Sequence, residues 1–316
     1  MTERIVDISE KAARLRSKNG CLQLDLKDGG TQTIPFVEVA VVVVAHPQVT
    51  VTAPVLARLA EAGGVWVVCD ERRMPVAWQL PIVGHHLQVE RFRQQVGASR
   101  PTHKRLWKQI VQAKLRAQAS ALRLLRGTTC GIDRMVRSVR SGDTTNVEAQ
   151  AARRYWGALF VDRSFRRDRA AADPNRHLNY GYAVLRALVA RAVCAAGLHP
   201  SLGIHHHNRY SGFPLADDLM EPFRPLVDLR VARWFDVDDR PPELDRAAKR
   251  HLLAGFTERY RVDGEERSFF DIVARVARSL AAVFAGKRRA LWLPEVLGDG
   301  GAGAVGVSGD VVARDV

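Results

Sequence analysis

Side chains capable of binding a metal concentrate in two neighbouring segments of the sequence. The first contains three consecutive histidines at 205–207, and the second places Asp217, Asp218 and Glu221 at helical spacing. Acids at positions i, i+1 and i+4 lie within reach of one helix face, and acids packed in a basic chain are costly unless a cation lies among them. Oxygen ligands with one imidazole suit Mg²⁺ or Mn²⁺ better than structural zinc. The two segments therefore predict a hard-cation site that acts on phosphate.

Glu148 is a further candidate acid, in a segment where Thr145 or Asn146 can cap a helix. A glutamate in a first helical turn also favours the helix dipole without any further function. The histidines have a structural interpretation too, because alternate side chains of a strand or loop diverge and at most two of the three can share a site. Spacing alone leaves both interpretations open.

Several other kinds of catalytic motif are absent from the sequence. It has no GxxxxGK[ST] phosphate-binding loop and no GxSxG motif, which argues against nucleotide hydrolysis and leaves no recognisable serine nucleophile. The 4 cysteines form no CxxC pair. This spacing argues against a zinc ribbon, a redox motif and a disulfide scaffold.

The net charge is strongly positive and unevenly distributed. The formal net charge is +14, yet residues 1–80 contain 9 basic and 9 acidic side chains, whereas residues 81–316 contain 39 basic and 25 acidic ones. Such a field attracts a polyanion and releases its counterions on contact. The charge therefore predicts a nucleic-acid partner for the later part of the chain, with a well-solvated helix surface as the alternative.

Two hydrophobic periodicities divide the chain near residue 80. The first part alternates with period two and predicts strands at 4–9, 13–17, 22–26, 37–44, 65–70 and 75–80, with one short helix between 44 and 65. The later part repeats every three to four residues and predicts helices at 86–96, 101–125, 146–160, 175–198, 215–235, 242–259 and 268–285.

We therefore predict an α+β fold with two segregated domains. A small N-terminal β domain at 1–82 is followed by a larger all-helical C-terminal domain at 83–290. Residues 291–316 are predicted to be a disordered tail, because the segment is rich in Gly, Val and Ala without any period.

The apolar runs are short and interrupted by charges. None approaches the roughly 18 residues that a membrane span needs, and the N-terminal residues carry charge where a secretory signal is apolar. We therefore expect a cytoplasmic protein with no membrane partner.

Three motifs occur in an order typical of one family. They are NVEAQAARRYW at 146–156, LGIHHHNRY at 202–210 and LADDLMEPFRPLVD at 215–228. Together they resemble the Cas1 family, the CRISPR-associated adaptation integrase and endonuclease, and in particular its members from type II systems. Segments 85–93 and 106–114 are also similar to that subgroup, so that the resemblance spans about 4–285.

The resemblance implies a metal site and assigns its residues. The glutamate of NVEA is Glu148, the histidine of GIHH is His206 and the acid of DLME is Glu221. These three are expected to be both the catalytic residues and the ligands of Mg²⁺ or Mn²⁺. Asp218 is expected only to support them. Many family members have aspartate at the position of Glu221, and the histidine of the motif stands here within the triple histidine at 205–207.

The resemblance also implies an activity and partners. It implies that the 3′-hydroxyl ends of a short prespacer duplex are joined to the CRISPR repeat by transesterification, with hydrolysis as a nuclease side reaction. The implied partners are double-stranded DNA, namely the prespacer and the repeat with its leader, a second copy in a homodimer, and the small protein Cas2. The β domain would dimerise and the helical domain would bind DNA. Alternatives are a non-catalytic basic nucleic-acid-binding protein and a small-molecule metalloenzyme.

Overall fold

The computed structural model describes residues 4–27, 29–71, 74–81, 83–162, 164–168, 171, 174–206, 212–237 and 243–295. These residues form two compact units, one ending at Gly84 and the other beginning at His85. The division lies two residues beyond the boundary expected from the sequence. The first unit is rich in strands and the second in helices, so that the chain has an α+β fold.

The N-terminal unit contains two four-stranded sheets and one helix. Its elements are β1 (Arg4–Ile8), β2 (Ala13–Lys18), β3 (Cys21–Leu26), β4 (Thr31–Pro35), β5 (Val39–Val44), β6 (Thr50–Val51), α1 (Ala53–Glu61), β7 (Val65–Cys69) and β8 (Pro75–Gln79). One sheet has the order β1-β5-β7-β8 and the other β4-β3-β2-β6. In the first sheet β1, β5 and β7 are parallel, and β8 runs antiparallel to β7.

Period-two alternation builds the core of this unit. In β2, Ala13 and Leu15 are buried while Arg14 and Arg16 are exposed, as expected when successive side chains point to opposite faces of a sheet. The five residues Val39 to Val43 are all buried, because β5 lies inside its sheet. The strand predicted at 37–44 begins only at Val39, because the three preceding residues form a 3₁₀ turn after Pro35.

The C-terminal unit contains nine helices within the described residues. They are α2 (Gln88–Val96), α3 (Arg100–Arg126), α4 (Ile132–Met135), α5 (Val147–Leu159), α6 (Asn175–Ala195), α7 (Pro214–Met220), α8 (Arg224–Phe235), α9 (Arg246–Thr257) and α10 (Phe269–Phe284). The longest, α3, packs against α5, α8 and the 3₁₀ turn that joins α7 to α8. Since these contacts lie along its length, α3 is the central support of the unit.

The expectation of an all-helical C-terminal domain is wrong. Strands β9 (Arg259–Val262) and β10 (Glu265–Ser268) form an antiparallel hairpin. Its two turn residues, Asp263 and Gly264, have φ values of 53° and 81°, as a tight hairpin turn requires. Tyr260 and Val262 are buried while their neighbours are exposed, so that period-two alternation over four residues outweighs the helical pattern around it.

The helix predicted at 215–235 is broken into two. A 3₁₀ turn at Glu221–Phe223 separates α7 from α8. Pro222 and Pro225 lie in and just after this turn, and a proline removes a backbone donor and clashes with the preceding turn of a helix. The break matters for the site because Glu221 is the first residue of the turn.

Residues 291–295 differ from the predicted disordered tail. Leu291 is buried, with 7% of its surface exposed, and its backbone N–H donates to Gln109 Oε1 at 2.9 Å. The Arg275 guanidinium lies 4.0 Å from the centre of the Trp292 ring. Disorder from residue 291 is therefore wrong for these five residues, and the rest of that prediction, 296–316, lies outside the described residues. Among the described helices, none combines the length and apolar character needed to cross a bilayer.

Candidate metal centre

Glu148 and Glu221 meet at a buried ammonium group in the C-terminal unit. Lys114 Nζ lies 2.5 Å from Glu148 Oε1 and 2.5 Å from Glu221 Oε2. The side chain of Lys114 is 12% exposed, that of Glu221 4% and that of Glu148 23%. Two acids that are far apart in the sequence are thus brought together around one positive charge on α3.

The position of Glu148 is set by the start of α5. Asp143 Oδ1 accepts a hydrogen bond from the backbone N–H of Val147 at 2.9 Å, and its Oδ2 accepts one from that of Glu148 at 3.0 Å. These bonds satisfy two of the donors that a helix leaves unpaired at its first turn. Asn146 makes no side-chain cap bond, so that the buried Asp143 holds the turn that carries Glu148.

Glu221 is held by two cations. Its Oε1 lies 3.0 Å from Arg224 Nε, one turn further along the chain, and its Oε2 faces Lys114. Burial alone would raise the pKa of Glu221, but the charges of Arg224 and Lys114 outweigh it and hold the pKa below its usual value. Burial would likewise lower the pKa of Lys114, but Glu221 and Glu148 raise it overall. Glu221 and Lys114 are therefore both charged at neutral pH.

His206 is anchored by the fully buried Asp218. His206 Nδ1 lies 2.6 Å from Asp218 Oδ1, and Asp218 Oδ2 accepts hydrogen bonds from the backbone N–H groups of Ile204 at 2.6 Å and His205 at 2.9 Å. The hydrogen bond to Asp218 raises the pKa of His206 despite partial burial, and Glu221 and Glu148 raise it further. The two acids of the centre therefore lie close enough to act on this imidazole.

The loop before His206 is tightly packed. A Cβ at Gly203 would lie 2.5 Å from the carbonyl oxygen of His206 and 2.8 Å from Pro214 Cβ, so that only glycine fits there. The Trp107 indole stacks on His205 with ring centres 4.1 Å apart and meets His206 edge-on at 5.4 Å. His206 is thus fixed by a carboxylate and bordered by an aromatic ring.

The remaining predicted residues have other surroundings. The Asp217 carboxylate pairs with Arg186 Nη2 at 2.6 Å. Asp218 supports the histidine loop, as described above. His205 packs on Trp107, and His207 lies outside the described residues.

The donor set fits a divalent hard cation by its chemistry. Two carboxylates and one imidazole nitrogen suit Mg²⁺ or Mn²⁺, and His206 keeps Nε2 available because Nδ1 is bound by Asp218. Glu221 Oε2 is buried and makes no hydrogen bond, although Lys114 Nζ is near. Within the described residues, no group of three His, Cys, Asp or Glu side chains is arranged to hold a metal ion, and the ammonium of Lys114 contacts both carboxylates.

Sequence reasoning missed three residues that shape this centre: Lys114, Arg224 and Asp143. For Lys114, the sequence of α3 itself contained an indication of a buried charge. The buried stripe of α3 includes Trp107, Ile110, Val111, Leu115, Gln118 and Leu122, and Lys114 interrupts it at helical spacing. A lysine inside an apolar stripe needs a buried acidic partner.

A second polar cluster lies in the interior beside Arg224. Tyr155 donates a hydrogen bond to Asp228 Oδ2 at 3.0 Å, and Tyr182 donates one to Asp228 Oδ1. Burial raises the pKa of Asp228 to about 6, although both hydrogen bonds act in the opposite direction. The Arg224 guanidinium lies 4.9 Å from the centre of the Tyr182 ring. Arg224, which also pairs with Glu221, therefore connects this cluster to the candidate metal centre.

Known proteins resemble this chain over most of its length. The family model of CRISPR associated protein Cas1 matches residues 6–239. The CRISPR-associated endonuclease Cas1 of Neisseria meningitidis serogroup C (strain 8013) is 37% identical over 278 residues, which are 86% of this chain and 90% of the relative. The CRISPR-associated endonuclease Cas1 2 of Pyrobaculum aerophilum is 30% identical over 87% of this chain and 97% of its own.

Solved structures share the fold. A casposase bound to integration product superposes with a TM-score of 0.74 at 18% identity and covers 93% of both chains. A CAS1 protein from Thermotoga maritima superposes with a TM-score of 0.71 at 16% identity, over 90% of this chain and 98% of its own.

The family expected from the three motifs is confirmed. Because the matched region includes Glu148, His206 and Glu221, and relatives match nearly end to end, this chain belongs to the Cas1 family of CRISPR-associated proteins.

Proposed function

We propose that this chain is a metal-dependent DNA endonuclease and integrase of CRISPR adaptation, which joins prespacer 3′-hydroxyl ends to repeat DNA by transesterification. The observation that carries the proposal is the convergence of Glu148 and Glu221 on one cation, with His206 anchored beside them. The names of the relatives support it, since both are CRISPR-associated endonucleases. The casposase structure that shares this fold contains an integration product.

The residues of the centre have separate tasks in this reaction. Glu148, Glu221 and His206 Nε2 would hold Mg²⁺ or Mn²⁺. A bound ion supplies Lewis-acid chemistry toward a phosphodiester. Arg224 keeps the Glu221 carboxylate ionised and fixed. Asp218 holds Nδ1 of His206 and so directs the lone pair of Nε2 outward.

The overall chemistry needs no nucleotide cofactor. A 3′-oxygen of the prespacer forms a new P–O bond as the repeat strand loses one, and the leaving 3′-oxygen takes up a proton. One phosphodiester replaces another, which agrees with the lack of a phosphate-binding loop in the sequence. With water as the nucleophile, the same centre would cleave DNA.

DNA is the proposed polyanion. Residues 91–140 contain 13 basic side chains and one acid, and most of this segment belongs to α3 and the residues after it. Lysines and arginines that neutralise phosphates release counterions and so provide affinity without sequence specificity. A structure titled as a TtCas1-DNA complex shares this fold, with a TM-score of 0.54.

We also propose protein partners and a division of labour between the two units. The N-terminal unit would form a homodimer and the C-terminal unit would carry catalysis and DNA binding. A second partner would be Cas2, because a structure titled as a Cas6-RT-Cas1–Cas2 complex contains a chain of this fold, with a TM-score of 0.71. The neutral charge of residues 1–80 agrees with a protein partner.

The test uses the purified full chain and a branched DNA that mimics a half-integrated product. With Mn²⁺ or Mg²⁺, the free 3′-hydroxyl should reseal the target strand and release the flap, which gives a product of unique length. Glu148→Ala should abolish this product while DNA binding survives. The control is Glu266→Ala, which removes an acid whose side chain is 76% exposed. Binding without any metal-dependent product would instead favour a non-catalytic nucleic-acid-binding protein.

A further inference from the structure

The ammonium group of Lys114 contacts the carboxylates of both Glu148 and Glu221. We propose that its ammonium is a resident counterion, which holds Glu148 and Glu221 together without metal and leaves the space between them when a divalent cation binds. The inference rests on the proposed function, because it assumes that the two carboxylates are metal ligands. It assigns to Lys114 a positioning role that controls metal affinity.

The two carboxylates contact the same ammonium nitrogen. Lys114 Nζ is 2.5 Å from one oxygen of each carboxylate, so that these two oxygens lie no more than 5.0 Å apart. A divalent ion binds carboxylate oxygens at roughly 2.0–2.1 Å for Mg²⁺ and roughly 2.3–2.6 Å for larger cations. The ammonium nitrogen therefore contacts both carboxylates, and a cation bound by these same two oxygens would have to displace it.

Burial explains why a counterion is present. The Glu221 side chain is 4% exposed, and a carboxylate taken out of water without a partner carries a large desolvation penalty. Arg224 Nε pairs with Oε1 of Glu221. Lys114 contacts the second oxygen of Glu221 and an oxygen of Glu148 at the same time, so that one ammonium holds the two acids together.

The chemistry of lysine allows the exchange. Its ammonium is a point charge on a flexible four-carbon stem, whereas a guanidinium is a planar fork. Lys114 can withdraw from between the carboxylates by rotating about that stem while α3 stays in place. Arg224 would remain on Glu221 through the exchange, because it occupies the other oxygen.

The direct test is a calorimetric titration of the full chain with Mn²⁺ alone. Lys114→Met removes the competing charge, so that Mn²⁺ should bind about tenfold or more tightly than in the wild type. Lys114→Arg keeps a positive charge and should not gain affinity. Lys108→Met removes one charge from the same helix, outside the centre, and serves as the matched control for net charge.

Each outcome has a distinct meaning. If Mn²⁺ binds more tightly to Lys114→Met but not to Lys114→Arg or Lys108→Met, the counterion role of Lys114 is supported. Removal of a merely structural lysine would instead weaken Mn²⁺ binding. Equal or weaker binding in Lys114→Met than in the wild type overturns the inference and leaves the proposed metal-dependent reaction standing. Undetectable Mn²⁺ binding in both proteins overturns the metal site itself, and the proposed function with it.

A second measurement needs no variant and so does not depend on whether Lys114→Met folds. The wild-type chain is acetylated with an amine-reactive ester, with and without saturating Mg²⁺, and modification is measured by mass spectrometry. Acetylation of Lys114 should rise severalfold with Mg²⁺, while that of the exposed Lys104 should stay constant. Unchanged protection of Lys114 at saturating Mg²⁺ would show that the ammonium does not leave.

Discussion

Each predicted ligand of the centre is held by at least one charged partner. Glu148 and Glu221 share Lys114, and Glu221 also binds Arg224. His206 pairs with Asp218, whose carboxylate accepts three backbone N–H groups of the histidine loop in addition. These partners hold the three side chains in place, and such preorganisation lowers the cost of binding a ligand.

Asp218→Asn tests this support at the scale of one residue. Asparagine retains an acceptor for the loop but removes the negative charge that orients the His206 ring. Because partners of metal-ligating histidines typically contribute 10–100-fold to affinity or activity, we expect resealing of the branched DNA to fall roughly 10–100-fold, with weaker Mn²⁺ binding. Asp217→Asn on the same helix is the control. Equal losses in both variants would contradict a specific role for Asp218.

At the scale of elements, the site depends on where helices begin and end. Helix α3 contributes Lys114 from its buried stripe. Helix α5 places Glu148 in its first turn through the Asp143 bonds. The 3₁₀ turn before α8 carries Glu221 and places its carboxylate next to Lys114. A continuous helix through this turn would have followed the apolar pattern, but Pro222 and Pro225 prevent it.

The Asp228 cluster ties α8 to α5 and α6 and makes stability depend on pH. Burial raises the pKa of Asp228 from 3.8 to about 6, so that the folded chain keeps this proton longer than the unfolded chain. The contribution is fully present below pH 3.8 and is lost as the pH rises through 6. The shift corresponds to about 3 kcal/mol.

Asp228→Asn should remove this dependence. Relative to the variant, the wild type should lose about 3 kcal/mol of unfolding free energy between pH 4 and pH 7, measured by urea denaturation. The exposed Glu266→Gln should follow the wild type across the same range. A difference between wild type and Asp228→Asn that stays constant with pH would refute the assignment.

At the scale of the whole molecule, the positive charge belongs to one of the two units. Residues 81–316 carry the entire excess, whereas residues 1–80 are neutral. In the C-terminal unit, Arg116, Arg123 and Arg137 line one groove of about 680 Å³. Within the described residues, none of these three side chains forms an ion pair with an acid, so that their charge is available to a polyanion.

Salt dependence of DNA binding tests this distribution. If six or more phosphates are neutralised, affinity for a duplex should fall roughly 10³-fold or more between 50 and 200 mM salt. Replacing Arg116, Arg123 and Arg137 by alanine should lower the slope of log affinity against log salt by about three if each contacts a phosphate. Fluorescence anisotropy across a salt series measures both. Affinity independent of salt would contradict the electrostatic interpretation.

Local patterns were sufficient for the family and for the type of most long elements. Period-two alternation placed six of the N-terminal strands to within two residues, because each strand buries one face against a neighbouring layer. The helices were located by their apolar spacing for the same reason. Short elements were missed, among them β4, β6 and the β9–β10 hairpin, since four residues carry too little pattern to compete with helical segments around them.

The sequence by itself determined that Glu148, His206 and Glu221 stand in family motifs on a basic, helix-rich part of the chain, because motifs and net charge are properties of sequence order. Only the tertiary structure decided what surrounds them. Lys114 and Glu148 are separated by 34 residues, and Tyr155 and Asp228 by 73. The partners of a buried charge are set by the packing of helices that lie far apart in sequence, and no local pattern contains that information.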